Sequence, residues 1–401
     1  MSLGHLRRDP SYSGGGSASR WLRAPRWHEF DWHILGVAAL IFAVGLMVIQ
    51  AIAGAEHFPG RQEVSFSGHL SKVAVAVPCF LVALFLRPRW LRRNAWVLYG
   101  LCLCLVVLVP FIGVERNHAR RWIDLMVFDL QPSELAKLGL ILILARVLQS
   151  NRLRRPRDWV LPSALVCVPV LFILQQPDLG TAMTLVPISL GMFYLAGARG
   201  RAIVKLVLCC TLLGVCAFQF RWVEGYQEER IETWLSSYQA EELIEGRFGA
   251  AYHAYQARTA IGNGGLWGKG LGQGVGSRIR SLPELDSDSV LAVVFEEGGF
   301  VFASALLIVY ALFIGLIFVS ASEMRDRFAR LVVGGVGLYF GAHLFIHCGV
   351  NLGLLPMTGL PLPLISTGGT SLLMSLTAIG LALGLSSHYE RTLDEDSFRR
   401  Y

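Results

Sequence analysis

The chain has 401 residues, of which 54% are hydrophobic and only 16% charged. That balance excludes an ordinary soluble globular domain and points to a chain solvated by lipid. The net charge of +7 is spread over short segments between apolar runs, so it carries topology and offers no basic face for a nucleic acid.

Residues 1–32 are polar, with a Ser/Gly patch at 11–19, and read as a cytoplasmic tail. Apolar runs near the spanning length of about 20 residues then recur at 33–53, 72–86, 95–113, 135–149, 159–174, 179–197, 202–220, 289–320, 331–350 and 371–387. The expected fold is an all-α polytopic membrane protein with about ten transmembrane helices. Ala51-Ile52-Ala53 looks like a signal-cleavage site, but the run before it is too long for a signal-peptide core, so an uncleaved first span is expected. Lys and Arg concentrate in alternate connections, which places both termini in the cytoplasm. The eight cysteines all fall inside apolar runs and act there as small apolar residues. Neither a fixed-period repeat nor an inverted repeat of the transporter kind is present. One connection, 222–288, is long and polar and faces outward. Its aromatics, including Trp234, Tyr255 and Trp267, suit packing on the membrane surface or the bundle. Residues 388–401 form a second cytoplasmic tail.

Ionisable residues beside these runs mark candidate function, because a charge near the bilayer centre costs about 2.5–3.5 kcal/mol or more unless paired or wet. Arg120 and Arg121 precede Gln131-Pro132-Ser133-Glu134-Leu135-Ala136-Lys137. Pro132 suits a first helical turn and Glu134 the positive helix end. Glu134 and Lys137 share a helix face and can pair. The segment reads as a cap with an interfacial ion pair, against the alternative that Arg120, Arg121 and Lys137 face a cavity and offer charge to a phosphate. Asp178, in Gln176-Pro177-Asp178-Leu179-Gly180-Thr181, caps the next helix or belongs to a site, and one residue can do both.

The run from Gly262 to Gly274 fails the phosphate-loop pattern, because Gly270 follows Gly268-Lys269 where Ser or Thr is required. An ordered turn whose glycines admit close backbone approach to a ligand is expected. Asp288 stands at the mouth of the following run, partly desolvated yet within reach of water, a position that suits a general base; a helix cap shared with Ser287 or Asp286 is the plainer reading. On a continuous helix Glu296 and Glu297 would point about 80° and 180° away from Asp288. One of them is therefore expected to pair with another span, with Gly298-Gly299 allowing close packing. His343 and His347 are four apart; lacking a third ligand, they read as structural. Residues 351–371, rich in Pro and Gly and containing Ser366, form a re-entrant candidate bordering a cavity open to the outer leaflet.

Taken together, the stretches 119–145, 176–182, 252–274, 282–297 and 351–373 resemble the RodA/FtsW (SEDS) family, in order and spacing. The resemblance implies a peptidoglycan glycosyltransferase, closer to RodA, that polymerises lipid II at the outer face of the bacterial cytoplasmic membrane. A lipid II flippase and a non-catalytic scaffold for a transpeptidase are the alternatives. It implies that Asp288 deprotonates the acceptor hydroxyl, and that Glu134, Lys137, Arg120, Arg121, Asp178, Lys269, Glu296 and Ser366 contact substrate. It also implies a class B penicillin-binding protein as partner. No metal ligands are assigned, and a divalent cation is the one cofactor candidate. Ser287-Asp288-Ser289 stands where the family usually has Thr-Asp-Phe, Thr367 where it has Tyr, and Gly298 where it has a bulky residue.

Overall fold

The computed structural model describes residues 22, 24–54, 65–116, 119–124, 129–176, 178–219, 234, 250–275 and 287–388. Most of the two tails (1–21, 23 and 389–401), most of the 222–288 connection, including Asp286, and Pro177 lie outside the described residues. Each of the ten apolar runs is a helix: α1 Trp32–Gly54, α2 Phe66–Phe85, α3 Pro88–Ile112, α4 Pro132–Leu148, α5 Pro156–Gln175, α6 Leu179–Leu195, α7 Gly200–Gln219, α9 Val290–Glu323, α10 Arg327–Asn351 and α11 Gly369–His388. An eleventh, α8 (Ala250–Asn263), lies in the long connection. Among the described residues, seven of these helices are long and apolar enough to cross a membrane, and α6 is a shorter apolar helix. Ala51–Ala53 sits within α1.

Local chemistry sets the ends. Ser65 Oγ accepts from the Gly68 amide at 3.1 Å, so α2 begins six residues before its apolar run. Pro88, Pro132 and Pro156 open α3, α4 and α5, where a missing N–H costs nothing. Between α3 and α4 the chain adds a small antiparallel sheet, β1 (Val114–Arg116), β2 (Ala119–Asp124) and β3 (Asp129–Leu130), in the order β1-β2-β3. Such short strands carry too little alternation to be read from sequence.

The interior is built by α4, α10 and α11, which are buried along most of their length, while α3, α5 and α9 turn Phe111, Val160 and Ile308 outward. Apolar side chains on the outside and paired polar groups inside are what a lipid solvent selects. α11 packs along α2 so closely that the α-carbon of Gly380 lies against the Phe80 carbonyl.

Two departures from helix position the candidate site. The first is a break in α9 at Gly299 (φ 75, ψ 178), a conformation open to glycine almost alone. It separates a buried nine-residue helix, 290–298, from the outward-facing span that follows. A Cβ on Gly299 would strike the backbone amide of Gly268. Gly299→Ala is therefore expected to destabilise by about 1–3 kcal/mol from backbone strain alone. The melting temperature of the purified protein in detergent checks this, with Gly36→Ala as comparison, since open space surrounds Gly36.

The second departure is the chain between α10 and α11. Residues 360–367 are almost wholly buried in protein, as irregular backbone at membrane depth must be. They reach inward far enough that Tyr310 Oη donates to the Pro363 carbonyl at 3.1 Å, and the Leu364 carbonyl touches Gly45 of α1. The re-entrant expectation therefore holds. The segment's carbonyls are met by four side chains from three helices. His347 Nδ1 lies 2.9 Å from the Leu360 oxygen, His343 Nδ1 3.4 Å from that of Pro361, and Lys72 Nζ 3.0 Å from that of Thr367. Without those donors the broken backbone would leave acceptors unsatisfied in an apolar medium.

Candidate active site

α4 begins at Pro132, which puts Glu134 in its first turn and Lys137 one turn on. Lys137 Nζ is 2.6 Å from Glu134 Oε1, with the two side chains 0% and 2% exposed. The pairing expected from the spacing is present, but it is sealed inside the bundle, not interfacial. The second partner of Lys137 is His343 Nε2, at 3.0 Å. Lys137 thus spends its charge on the protein.

Asp178 caps α6, its Oδ1 accepting from the Thr181 amide at 3.1 Å. Its Oδ2 accepts from Ser133 Oγ at 3.0 Å and Gln131 Nε2 at 2.9 Å. One carboxylate therefore locks the starts of α4 and α6 together, which is more than a cap does. The carbonyl of Gln176, just before it, accepts from Arg121 Nε at 3.0 Å. Arg120 alternates to the other side of β2 and pairs with Glu115 at 3.5 Å in the open, both side chains 56% exposed. The two arginines do not converge.

The Gly-rich turn also meets something other than a small ligand. Lys269 Nζ is 3.1 Å from Glu296 Oε1, and the Val275 amide donates to the same oxygen at 3.0 Å. The Gly272 amide donates to Glu297 Oε2 at 2.9 Å. The Lys269 and Gly270 amides donate to the Glu296 and Glu297 carbonyls, which the break at Gly299 leaves without helical partners. Residues 264–275 thus cap the C-terminal end of the 290–298 helix and take both glutamates. Both glutamates meet this turn, because the break at Gly299 comes just after them. Gly268 (φ 78) lies so near the Glu297 carbonyl that no side chain fits.

At the other end of the same short helix stands Asp288, half-buried. α9 is capped at Ser289, whose side chain makes no capping bond. The Asp288 carbonyl accepts from Asn351 Nδ2 at 3.1 Å, and the neighbouring Ser287 carbonyl accepts from Ser366 Oγ at 2.8 Å. Ser366 in turn accepts from the Leu362 amide at 2.9 Å. A Cβ built on Gly359 (φ 69) would lie 3.4 Å from Asp288 Oδ2, so the carboxylate rests over that glycine. Ser366 fixes the approach to Asp288, with both hydroxyl functions committed.

Every candidate residue therefore lies at the same end of the bundle: at the starts of α4, α6 and α9, at the end of α10 and in the segments between. Apart from Arg120, they form four groups, around Lys137, Asp178, Asp288 and Glu296, and residues 359–366 touch the Lys137 and Asp288 groups. The sequence reading passed over Asn351 and the role of His343. A signal was there, since His343, His347 and Asn351 recur at four-residue steps along one face of α10. Among the described residues, no group of three or more His, Cys, Asp or Glu could hold a metal ion. Chemically, the arrangement offers a fixed, water-accessible carboxylate beside a rigid polar interior.

Comparison with known proteins agrees with this architecture. A family model described as "Cell cycle protein", for FtsW, RodA and SpoVE, matches residues 31–391. Peptidoglycan glycosyltransferase MrdB of Escherichia coli K12 is 32% identical over 328 residues, 80% of this chain and 85% of that protein. FtsW of Mycobacterium tuberculosis is 33% identical over 366 residues, 88% of this chain and 67% of that protein. A solved structure described as the structural coordination of polymerization and crosslinking by a peptidoglycan synthase complex is similar with TM-score 0.75 and 30% identity, covering 89% of this chain and 97% of that one. The crystal structure of Thermus thermophilus RodA is similar with TM-score 0.68 and 27% identity, over 92% of this chain and 100% of that one. With residues 31–391 matched by the family model and a relative 32% identical over most of both chains, this chain belongs to the RodA/FtsW (SEDS) family of multi-pass membrane proteins.

Proposed function

We propose that the protein is a peptidoglycan glycosyltransferase of the cell-shape, RodA-like kind, polymerising lipid II into glycan strands at the outer face of the bacterial cytoplasmic membrane, with both termini in the cytoplasm. One observation supports this reading: Asp288 sits half-buried at one end of a helical bundle, its backbone held by Asn351 and its neighbour by Ser366. A fixed carboxylate at that depth meets lipid-linked sugars where they project from the membrane.

In the reaction, Asp288 accepts the proton of an acceptor sugar hydroxyl as its oxygen bonds to the anomeric carbon of the donor. The bond from that carbon to the polyprenyl diphosphate breaks, and the diphosphate leaves with the electron pair. Of the cations expected at the site, Arg120 and Lys269 keep solvent access and can meet that charge. Lys137 cannot do so without breaking a sealed ion pair, so its role is to hold α4 in register with α10. A class B penicillin-binding protein is the fitting partner, since one similar structure is described as coordinating polymerization with crosslinking.

The test is a gel of products formed by the purified protein from labelled lipid II, with and without a coexpressed transpeptidase. A ladder of glycan strands is expected. Transbilayer movement of lipid II in vesicles without any ladder would establish the flippase instead. Neither activity, with transpeptidase binding retained, would leave the scaffold.

A further inference from the structure

His343 lies two helical turns in from Asn351 on α10, about 12 Å from the outer end of that helix, and is 0% exposed. Its two ring nitrogens face partners of opposite kind. Nε2 is 3.0 Å from the Lys137 ammonium and Nδ1 is 3.4 Å from the Pro361 carbonyl oxygen. An ammonium only donates and a carbonyl only accepts. One form of the ring satisfies both: neutral imidazole with its proton on Nδ1 and its lone pair on Nε2. The imidazolium would press an N–H against the ammonium, and the other tautomer would do so while turning a lone pair toward the carbonyl. Tyr339 packs against both groups, its ring centroid 4.6 Å from that of His343 and 5.9 Å from Lys137 Nζ.

The consequence reaches Asp288. Pro361 is two residues from Gly359, which lies under the Asp288 carboxylate, and five from Ser366, which holds Ser287. Pro361 has no N–H of its own, so at this residue the carbonyl is the one backbone group a hydrogen-bond partner can hold. We propose that His343 is a positioning residue: it fastens the Glu134–Lys137 pair of α4 to the Pro361 carbonyl, and so sets where Gly359 and Ser366 present Asp288. The linkage joins residues 206 apart in the chain. Its activity readout rests on the glycosyltransferase reading above; its structural readout does not.

Solid-state nitrogen NMR on ring-labelled histidine in the full-length protein reads the linkage directly, with the His343 signals assigned by their loss in His343→Gln. The expected spectrum is a neutral ring protonated at Nδ1, with a hydrogen-bonded Nε2. An imidazolium, or a ring protonated at Nε2, would overturn the proposal whatever the enzyme does. Activity supplies the second arm. His343→Leu keeps the volume and loses both bonds, and is expected to lower kcat for lipid II polymerisation about 10–100-fold with little change in KM, as for a displaced catalytic group. His343→Gln, whose amide both donates and accepts, is expected to restore most of that loss. Equal, wild-type kcat in the Leu and Gln variants, with only the melting temperature lowered in the Leu variant, would reduce His343 to packing and refute the proposal. A wild-type protein that makes no polymer refutes the proposed function instead, and the NMR arm still decides on the linkage.

Discussion

Asp288→Asn is expected to abolish glycan-strand formation from lipid II while leaving the fold intact. The substitution keeps the shape and removes only the ability to take a proton. Two of the interactions that fix this stretch go to main-chain carbonyls, from Asn351 to Asp288 and from Ser366 to Ser287, and survive the change. General-base catalysis contributes about 10²–10⁴-fold, so a product gel from labelled lipid II should show no ladder at enzyme concentrations where the wild type consumes its substrate. The melting temperature in detergent should stay at the wild-type value. A variant that folds and polymerises at the wild-type rate would remove Asp288 from the reaction and leave the proposed chemistry without a base.

Lys137→Met is expected to damage the fold first and activity through it. The ammonium neutralises Glu134, whose side chain is only 2% exposed, and donates to His343 as well. Removing one partner of a buried pair strands the other charge, at a cost of about 3–5 kcal/mol. The double variant Glu134→Gln/Lys137→Met removes both charges and should recover most of that loss, because a buried pair replaced as a whole is often near neutral. Unfolding of the purified protein in detergent, followed by heat or denaturant, measures the cycle. If the double variant is no more stable than Lys137→Met alone, the two side chains are not energetically coupled as their geometry requires. The same comparison separates structure from chemistry: a double variant that folds and still polymerises would show that the ion pair is a strut.

How far the sequence carries can be judged at particular residues. The Glu134–Lys137 pair was legible because both partners lie on one helical turn, and so was the cap formed by Asp178, whose partner Thr181 is three residues on. Local geometry fixes such contacts before any tertiary structure exists. The fate of Glu296 and Glu297 was not legible. A continuous helix predicts that they point away from Asp288 and that one pairs with another span; the 264–275 turn reaches both because α9 breaks just after them at Gly299, where Gly268 approaches closely from another part of the chain. The Gly-rich turn was correctly read as admitting close backbone contact, but what approaches is the broken helix itself. Arg120 and Arg121 looked like one cluster in a list of residues. On strand β2 they alternate, so one meets the Gln176 carbonyl and the other meets Glu115 in solvent.

By itself, the sequence determined the position and order of the apolar helices and picked out the carboxylate at the mouth of one of them. Each of these follows from the free energy of moving one segment at a time between water and lipid, which a linear chain displays openly. Only the tertiary structure decided which charges remain available. In a medium that screens little, a charged group pairs with whatever opposite or complementary group the packing brings within about 3 Å. For Lys137 that includes a histidine on a helix 206 residues further along the chain.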